Sequence, residues 1–187
     1  MKTTQTHTFP AHKAHQLDHK FRRWLQNPFK ILAPFVHEGM TVIDYGCGNG
    51  FFSMPLSSLT GGSGQVFAID IQRDMLDKLS LKLSDSGISN VTPVLKVKVA
   101  LELPVLCDFA IAIYVVHEID DQNTFFKEMH KHLKPGAKFL IMEPDFIVSK
   151  KDFIKTLERA QKAGFKQVEP LNLLFSKAAV LTTGKYP

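Results

Sequence analysis

Residues 42–53 read VIDYGCGNGFFS, an apolar run closed by an acid, Asp44, and followed by glycines at 46, 48 and 50. Glycines at a strand-to-helix turn permit positive φ and let backbone approach a ligand without a β-carbon in the way. Such turns commonly cradle nucleotides, yet a carboxylate two residues before the first glycine would repel a pyrophosphate. The dinucleotide pattern G-x-G-x-x-G also fails, because its last position is Phe51. The spacing therefore suits a phosphate-free ligand that carries positive charge. A second acid, Asp70, ends the run QVFAID some 20 residues beyond the loop, where a carboxylate can accept hydrogen bonds from both hydroxyls of a ribose.

A second set of reactive side chains follows two later apolar runs: Tyr114, His117 and Glu118 after DFAIAIYVV, and Glu143 and Asp145 after AKFLIM. A neutral His117 imidazole could take a proton from an acceptor at physiological pH; it could equally cap the following helix or pack beside a cofactor. Glu118 serves as a base or as a first-turn acid favourable to a helix dipole, and Glu143 as a crevice carboxylate or a structural acceptor. His7, His12, His15 and His19 are irregularly spaced, and the chain has only two cysteines, Cys47 and Cys107, with no H-E-x-x-H. No metal site is expected, nor a disulfide framework.

These groups need a scaffold. From Met40 onward strand-like runs alternate with helical ones: MTVIDY, a helix over Phe51–Leu59 with Pro55 in its first turn, QVFAID, a helix over Arg73–Ser86, VTPVLKV, DFAIAIYVV, a helix over Asp121–Leu133, AKFLIM and a helix over Asp152–Ala163. FKQVEPL and KAAVLTT follow with no helix between them and read as an antiparallel pair at one sheet edge. The pattern predicts an α/β fold, an open doubly wound sheet whose ligands bind beyond the carboxyl ends of its strands. Residues 1–15 are expected to be a mobile basic arm. Residues 16–187 are read as one domain that opens with helices over 16–38, the first striped by Leu17, Phe21, Trp24 and Leu25 and the second capped by Asn27 and Pro28.

The net charge of +5 resides in residues 1–30, which hold six basic side chains against Asp18 alone; the rest is balanced at 17 against 17. The body thus offers no basic surplus for a nucleic-acid platform. With no long apolar segment and no apolar signal core, a cytoplasmic location without membrane insertion is expected; oligomeric state is left open.

The D-x-G-x-G-x-G loop with an acid at the end of the next strand resembles motif I of the class I S-adenosylmethionine (SAM)-dependent methyltransferases. CDFAIAIYVVHEI and LKPGAKFLIMEPD resemble the family's fourth- and fifth-strand motifs. RRWLQNPFKIL and VHEGMTVIDYGCGNG are similar to the small-molecule branch that includes the ubiquinone and menaquinone biosynthesis methyltransferases. The resemblance implies a Rossmann-like seven-stranded sheet of order 3-2-1-4-5-7-6 with strand 7 antiparallel, SAM as cofactor and a small-molecule methyl acceptor. It places Asp44, Tyr45, Gly46, Cys47, Gly48, Asp70, Ile71, Met75, Val99 and Tyr114 around the cofactor, with His117, Glu118 and Glu143 as candidate catalytic groups. One position departs from the pattern: where relatives carry an acid that reads the adenine amino group, this chain has Val97, Lys98, Val99 and Ala100. The alternatives are a non-catalytic SAM-binding regulator and, more distantly, an NAD-linked oxidoreductase.

Overall fold

Alternate residues of the fourth strand, β4 (Cys107–Ile113), belong to different cores, and this explains why its sequence is apolar throughout. Phe109, Ile111 and Ile113 pack into one hydrophobic cluster, while Ala110 and Ala112 pack into another on the opposite face. A strand covered on both sides has no solvent face to keep polar. β1 (Thr41–Tyr45) behaves alike, with Val42 in the first cluster and Ile43 in the second.

The structure, a computed structural model, describes residues 27–97 and 100–184, the side chains of 167–170 and 172 excepted. The expected basic arm, the helix bearing Phe21 and Trp24, and Val99 lie outside the described residues. The remaining elements are α1 (Pro28–Leu32), α2 (Ser53–Thr60), β2 (Gln65–Asp70), α3 (Arg73–Asp85), β3 (Val91–Leu95), α4 (Gln122–His132), β5 (Leu133–Pro144), α5 (Lys150–Lys162), β6 (Phe165–Leu173) and β7 (Ser176–Thr183). They build one seven-stranded sheet of order β3-β2-β1-β4-β5-β7-β6. β1 runs parallel to β2 and β4, β2 to β3 and β4 to β5, whereas β7 is antiparallel to β5 and β6. This is the doubly wound order expected from the sequence. Buried residues of α1, α2 and α3, among them Leu32, Leu56 and Leu79, join the cluster on one face, and those of α4 and α5, among them Phe126, Met129 and Leu157, join the other.

Three boundaries differ from the sequence-based expectation. β4 stops at Ile113, not Val116, because Tyr114 turns the chain at φ 60° and Val116–Glu118 wind into a 3-10 turn. The helix capped by Asn27, whose Oδ1 accepts the backbone N–H of Phe29 at 3.1 Å, ends at Leu32 rather than near Gly39. Ala33 keeps helical angles, φ −55° and ψ −30°, but Pro34 has no N–H with which to continue the ladder, and the turns that follow stack Phe35 on Phe109 with ring centroids 5.7 Å apart. Lys134, Pro135 and Gly136 belong to β5, because Leu133 already pairs with Cys107.

Candidate active site

The glycine loop leaves β1 at the carboxyl edge of the sheet, and its three glycines do different work. Gly46, at φ 73°, lies so close to Val115 that an added Cβ would come 2.5 Å from Cγ2. At Gly50, φ 89°, a Cβ would fall 2.4 Å from Leu79 Cδ1. These two positions let the turn sink against its own protein. Gly48, at φ 53°, has nothing within 4 Å of such a Cβ, so this glycine faces open space. The loop is braced across β2 by the N–H groups of Gly46 and Cys47, which donate to the Ile69 carbonyl at 2.8 and 3.0 Å. Lys82 Nζ donates to the Asn49 carbonyl at 2.8 Å on its far side.

Both acids lie under this loop. Asp44 is 3% exposed, and its Oδ2 accepts Ser53 Oγ at 2.6 Å at the start of α2. Burial raises its carboxyl to about 7; the Ser53 bond opposes that shift and the nearby Asp70 adds to it. Asp70 is 7% exposed and each oxygen takes one backbone donor, Oδ2 from Gly48 N at 2.8 Å and Oδ1 from Gln72 N at 2.8 Å. An ionised carboxylate has about four lone-pair sites, so Asp70 keeps acceptor capacity for ribose hydroxyls while pinning the loop to the end of β2. Ile71, next in sequence, is 56% exposed, whereas Met75 is buried one turn into α3. Tyr45 packs edge-on to Phe125, centroids 4.8 Å apart, and burial, with Glu128 and Asp70 nearby, pushes its phenol up to about 12. Cys47 is buried and free; burial holds its thiol far above the ordinary range, an inert state rather than a nucleophile.

One strand away, β4 and β5 bring together residues distant in sequence. Glu143, 1% exposed at the end of β5, contacts His117 Nδ1 through Oε2 at 2.5 Å and accepts the His117 backbone N–H through Oε1 at 3.2 Å. The bond to Glu143 raises the imidazole pKa, with desolvation opposing. Glu118 is also raised, chiefly by burial, although His117 pulls it down. His117 therefore does not cap α4; Asp121 does, accepting Thr124 N at 3.0 Å. Gln122 Nε2 fixes the turn by donating to the Val116 carbonyl at 2.9 Å. Beside this pair the Tyr114 hydroxyl lies 2.6 Å from Ser176 Oγ at the start of β7. Asp145 is paired with Lys177 at 2.6 Å.

Residues 36–181 match the family described as "Methyltransferase domain". The chain belongs to that family. Its sheet order is that of the class I, Rossmann-like methyltransferases, whose cofactor is SAM. Among relatives, it is 32% identical over 127 residues to the ubiquinone/menaquinone biosynthesis C-methyltransferase UbiE of Shewanella frigidimarina, covering 67% of this chain and 49% of that protein. It is 29% identical over 109 residues to the demethylmenaquinone methyltransferase of Anoxybacillus flavithermus, covering 58% and 46%. The chain thus spans about half the length of these curated relatives. Among solved structures, a SAM-dependent methyltransferase from Aquifex aeolicus superposes with a TM-score of 0.83 at 27% identity, covering 94% of this chain and all of that one.

The methyltransferase-family loop fits such a cofactor on its own chemistry. It combines an open glycine face, an acid with lone pairs to spare, an exposed apolar side chain beside that acid, and a buried carboxyl favouring positive charge over phosphate. Among the described residues, no group of three or more His, Cys, Asp or Glu side chains could hold a metal ion, and no helix is long and apolar enough to cross a membrane. Sequence reasoning passed over Ser53, Gln72, Val115 and Ser176. Serine and glutamine at helix starts are too common to stand out, and the partners of Val115 and Ser176 are supplied by other strands.

Proposed function

We propose that this chain transfers a methyl group from SAM to a small acceptor that presents an acidic or hydroxyl-bearing atom on an apolar body. The His117–Glu143 pair, one strand from the open glycine of the cofactor loop, is the observation that carries this reading. Bound SAM supplies an activated methyl on a sulfonium whose departure leaves a neutral thioether. The protein's remaining tasks are to align the acceptor and exclude water. Asp44 and Asp70 hold the positively charged and ribose ends, and Gly46, Gly48, Tyr45 and Cys47 form the backbone floor. Ile71, Met75 and Tyr114 would wall the pocket, and Val99, outside the described residues, is expected to join them. With Nδ1–H turned to Glu143, the imidazole of His117 offers Nε2 as proton acceptor, and Glu118 stands by as a second carboxyl.

The acceptor's apolar character is supported by the rim beyond β5 and β7. Phe146 (84% exposed), Ile147, Leu174 and Phe175 are all exposed there. The two loops that carry them are joined by the Asp145 N–H donating to the Phe175 carbonyl at 3.1 Å. Four large apolar side chains beside a polar dyad suit an amphiphilic small molecule better than a charged polymer. Residues 16–26, which lie outside the described residues, would close over the cofactor as a lid through the helix around Phe21 and Trp24, and the reaction would be cytoplasmic.

Calorimetric titration with SAM, S-adenosylhomocysteine and NAD tests the cofactor, and screening a metabolite panel for a product with one added methyl tests the reaction. Binding of the two SAM-type ligands with a methylated product is the expected result. Binding without product on any acceptor would leave a regulatory SAM binder, and binding of NAD alone would reject the proposal. Removing residues 1–27 is expected to weaken ligand binding without unfolding the body; unchanged affinity would discard the lid.

A further inference from the structure

The peptide unit that joins Val116 to His117 is held at both ends by side chains from other elements. Its N–H, on His117, donates to Glu143 Oε1 at 3.2 Å at the end of β5. Its carbonyl, on Val116, accepts Gln122 Nε2 at 2.9 Å from the first turn of α4, together with the N–H of Ile119 at 3.2 Å. Glu143 also bonds the imidazole of His117, so the placement of that ring follows the placement of this one peptide.

The side chain of Gln122 is fixed at its other end as well. Its Oε1 accepts Thr156 Oγ1 at 3.2 Å and Arg159 Nη1 at 3.1 Å, both from α5. A guanidinium only donates and a backbone carbonyl only accepts, so a single orientation of the amide satisfies these partners together. Thr156 is buried, and Phe153, Leu157 and Ala160 anchor α5 in the same core as Phe125 and Met129 of α4. The amide therefore reaches the 3-10 turn from a braced pair of helices. The attachment of α4 to the sheet does not depend on it, because Phe125, Phe126 and Met129 are buried on that helix.

We propose that Gln122 is a positioning residue for His117, fixing the carbonyl end of the peptide whose N–H end Glu143 fixes. Its consequence for methyl transfer rests on the reading of His117 as proton acceptor, whereas the tether is a property of the protein without ligand. A base must lie within hydrogen-bond reach of the proton it takes, and a 3-10 turn of three residues has little internal structure to keep it there. Without Gln122 the Val116 carbonyl retains the Ile119 bond alone, and the peptide is free to tilt away from Glu143. Glu143 and Glu118 are the acids that act on the imidazole, and the bond to Glu143 is the stronger influence. Slack in the turn therefore shows first in that bond.

The test is NMR on the full chain without ligand. Gln122→Met keeps the length of the side chain and removes both of its bonds. It is expected to lower the His117 ring midpoint toward that of Glu143→Gln and to speed exchange of the His117 amide proton by about tenfold. Gln122→Glu keeps an acceptor for Thr156 and Arg159 but turns a second oxygen on the Val116 carbonyl. This variant is expected to unfold in urea no earlier than the unmodified protein, yet to speed the same exchange by about tenfold, which separates the tether from general stability. Asn90→Ala, destabilised at the far end of α2, is expected to leave both His117 readouts unchanged. An unchanged midpoint and exchange rate in Gln122→Met, or faster exchange only in variants that unfold earlier, overturns the proposal. Titration of the unmodified protein with S-adenosylhomocysteine judges the methyl-transfer reading separately: a lowered midpoint in Gln122→Met without ligand binding supports the tether and rejects that reading.

Discussion

Glu143 holds His117 by two groups at once, its Oε2 on the imidazole Nδ1 and its Oε1 on the backbone N–H of the same residue. Ring orientation and main-chain position are thereby set by one buried carboxylate at the end of a neighbouring strand. The same bond raises the imidazole pKa above 6.5, against desolvation. A histidine raised in the folded state stabilises fully below its unfolded value, and that contribution fades as pH climbs through the folded value. Glu143→Gln should lower the His117 midpoint in an NMR titration of its ring protons and shrink the stability gap between acidic and alkaline pH. An unchanged midpoint would mean that the pair does not govern the imidazole. Once an acceptor is known, the acid limb of the rate profile, which requires neutral His117, should move to lower pH in the same variant.

Asp44 predicts the opposite linkage from its own burial. Its carboxyl rises from 3.8 to about 7 on folding, so the folded state binds the extra proton between those values. The cost of ionising it is absent below the lower value, grows as pH rises and is complete above the upper one. At about 1.4 kcal/mol per pKa unit the full cost is on the order of 4 kcal/mol. Thermal melts of Asp44→Asn should therefore gain on the unmodified protein steadily from pH 4 to pH 8. Parallel melting curves across that range would show that Asp44 is not held protonated. If Asp44 faces the cofactor's positive charge as proposed, the variant should also bind SAM more weakly above about pH 7, where the carboxyl of the unmodified protein is ionised.

The three loop glycines should separate fold from binding. Gly46→Ala and Gly50→Ala force a Cβ to 2.5 and 2.4 Å from Val115 and Leu79, and urea unfolding should show losses of about 2 kcal/mol or more from overpacking plus positive φ. Gly48→Ala meets no neighbour and should cost only about 1–2 kcal/mol through its φ. It should nonetheless impair S-adenosylhomocysteine binding, because its β-carbon enters the open face. Normal binding by Gly48→Ala would place the ligand elsewhere.

Asn90 offers a control remote from the chemistry. Its Nδ2 donates to the Gly61 carbonyl at 2.8 Å, the Ser57 carbonyl at 3.1 Å and Thr60 Oγ1 at 3.3 Å, while its Oδ1 accepts Ser57 Oγ at 2.6 Å. Asn90→Ala strips partners from the last turn of α2 and should destabilise by about 2–4 kcal/mol in denaturant. Ligand affinity measured well below the melting temperature should be unchanged; a large loss would tie this helix end to the pocket.

What the sequence alone determined was everything carried by local periodicity and turn chemistry. Apolar runs such as DFAIAI required two covered faces, the missing helix between Phe165 and Thr183 required an antiparallel edge, and Asp44 with three spaced glycines excluded a phosphate site. Two local readings erred where a single residue redirected the chain, Tyr114 at φ 60° ending β4 and Pro34 ending α1. Side-chain partnership was a different matter. His117 meets Glu143 across 26 positions, Tyr114 meets Ser176 across 62 and Leu101 meets Glu128 across 27. The first two pairings depend on the level at which neighbouring strands end and the third on how α4 docks against the sheet, quantities set by packing of the whole domain. The buried state of Asp44 likewise came only from tertiary structure, since desolvation depends on what closes over a carboxyl and not on its neighbours in the chain.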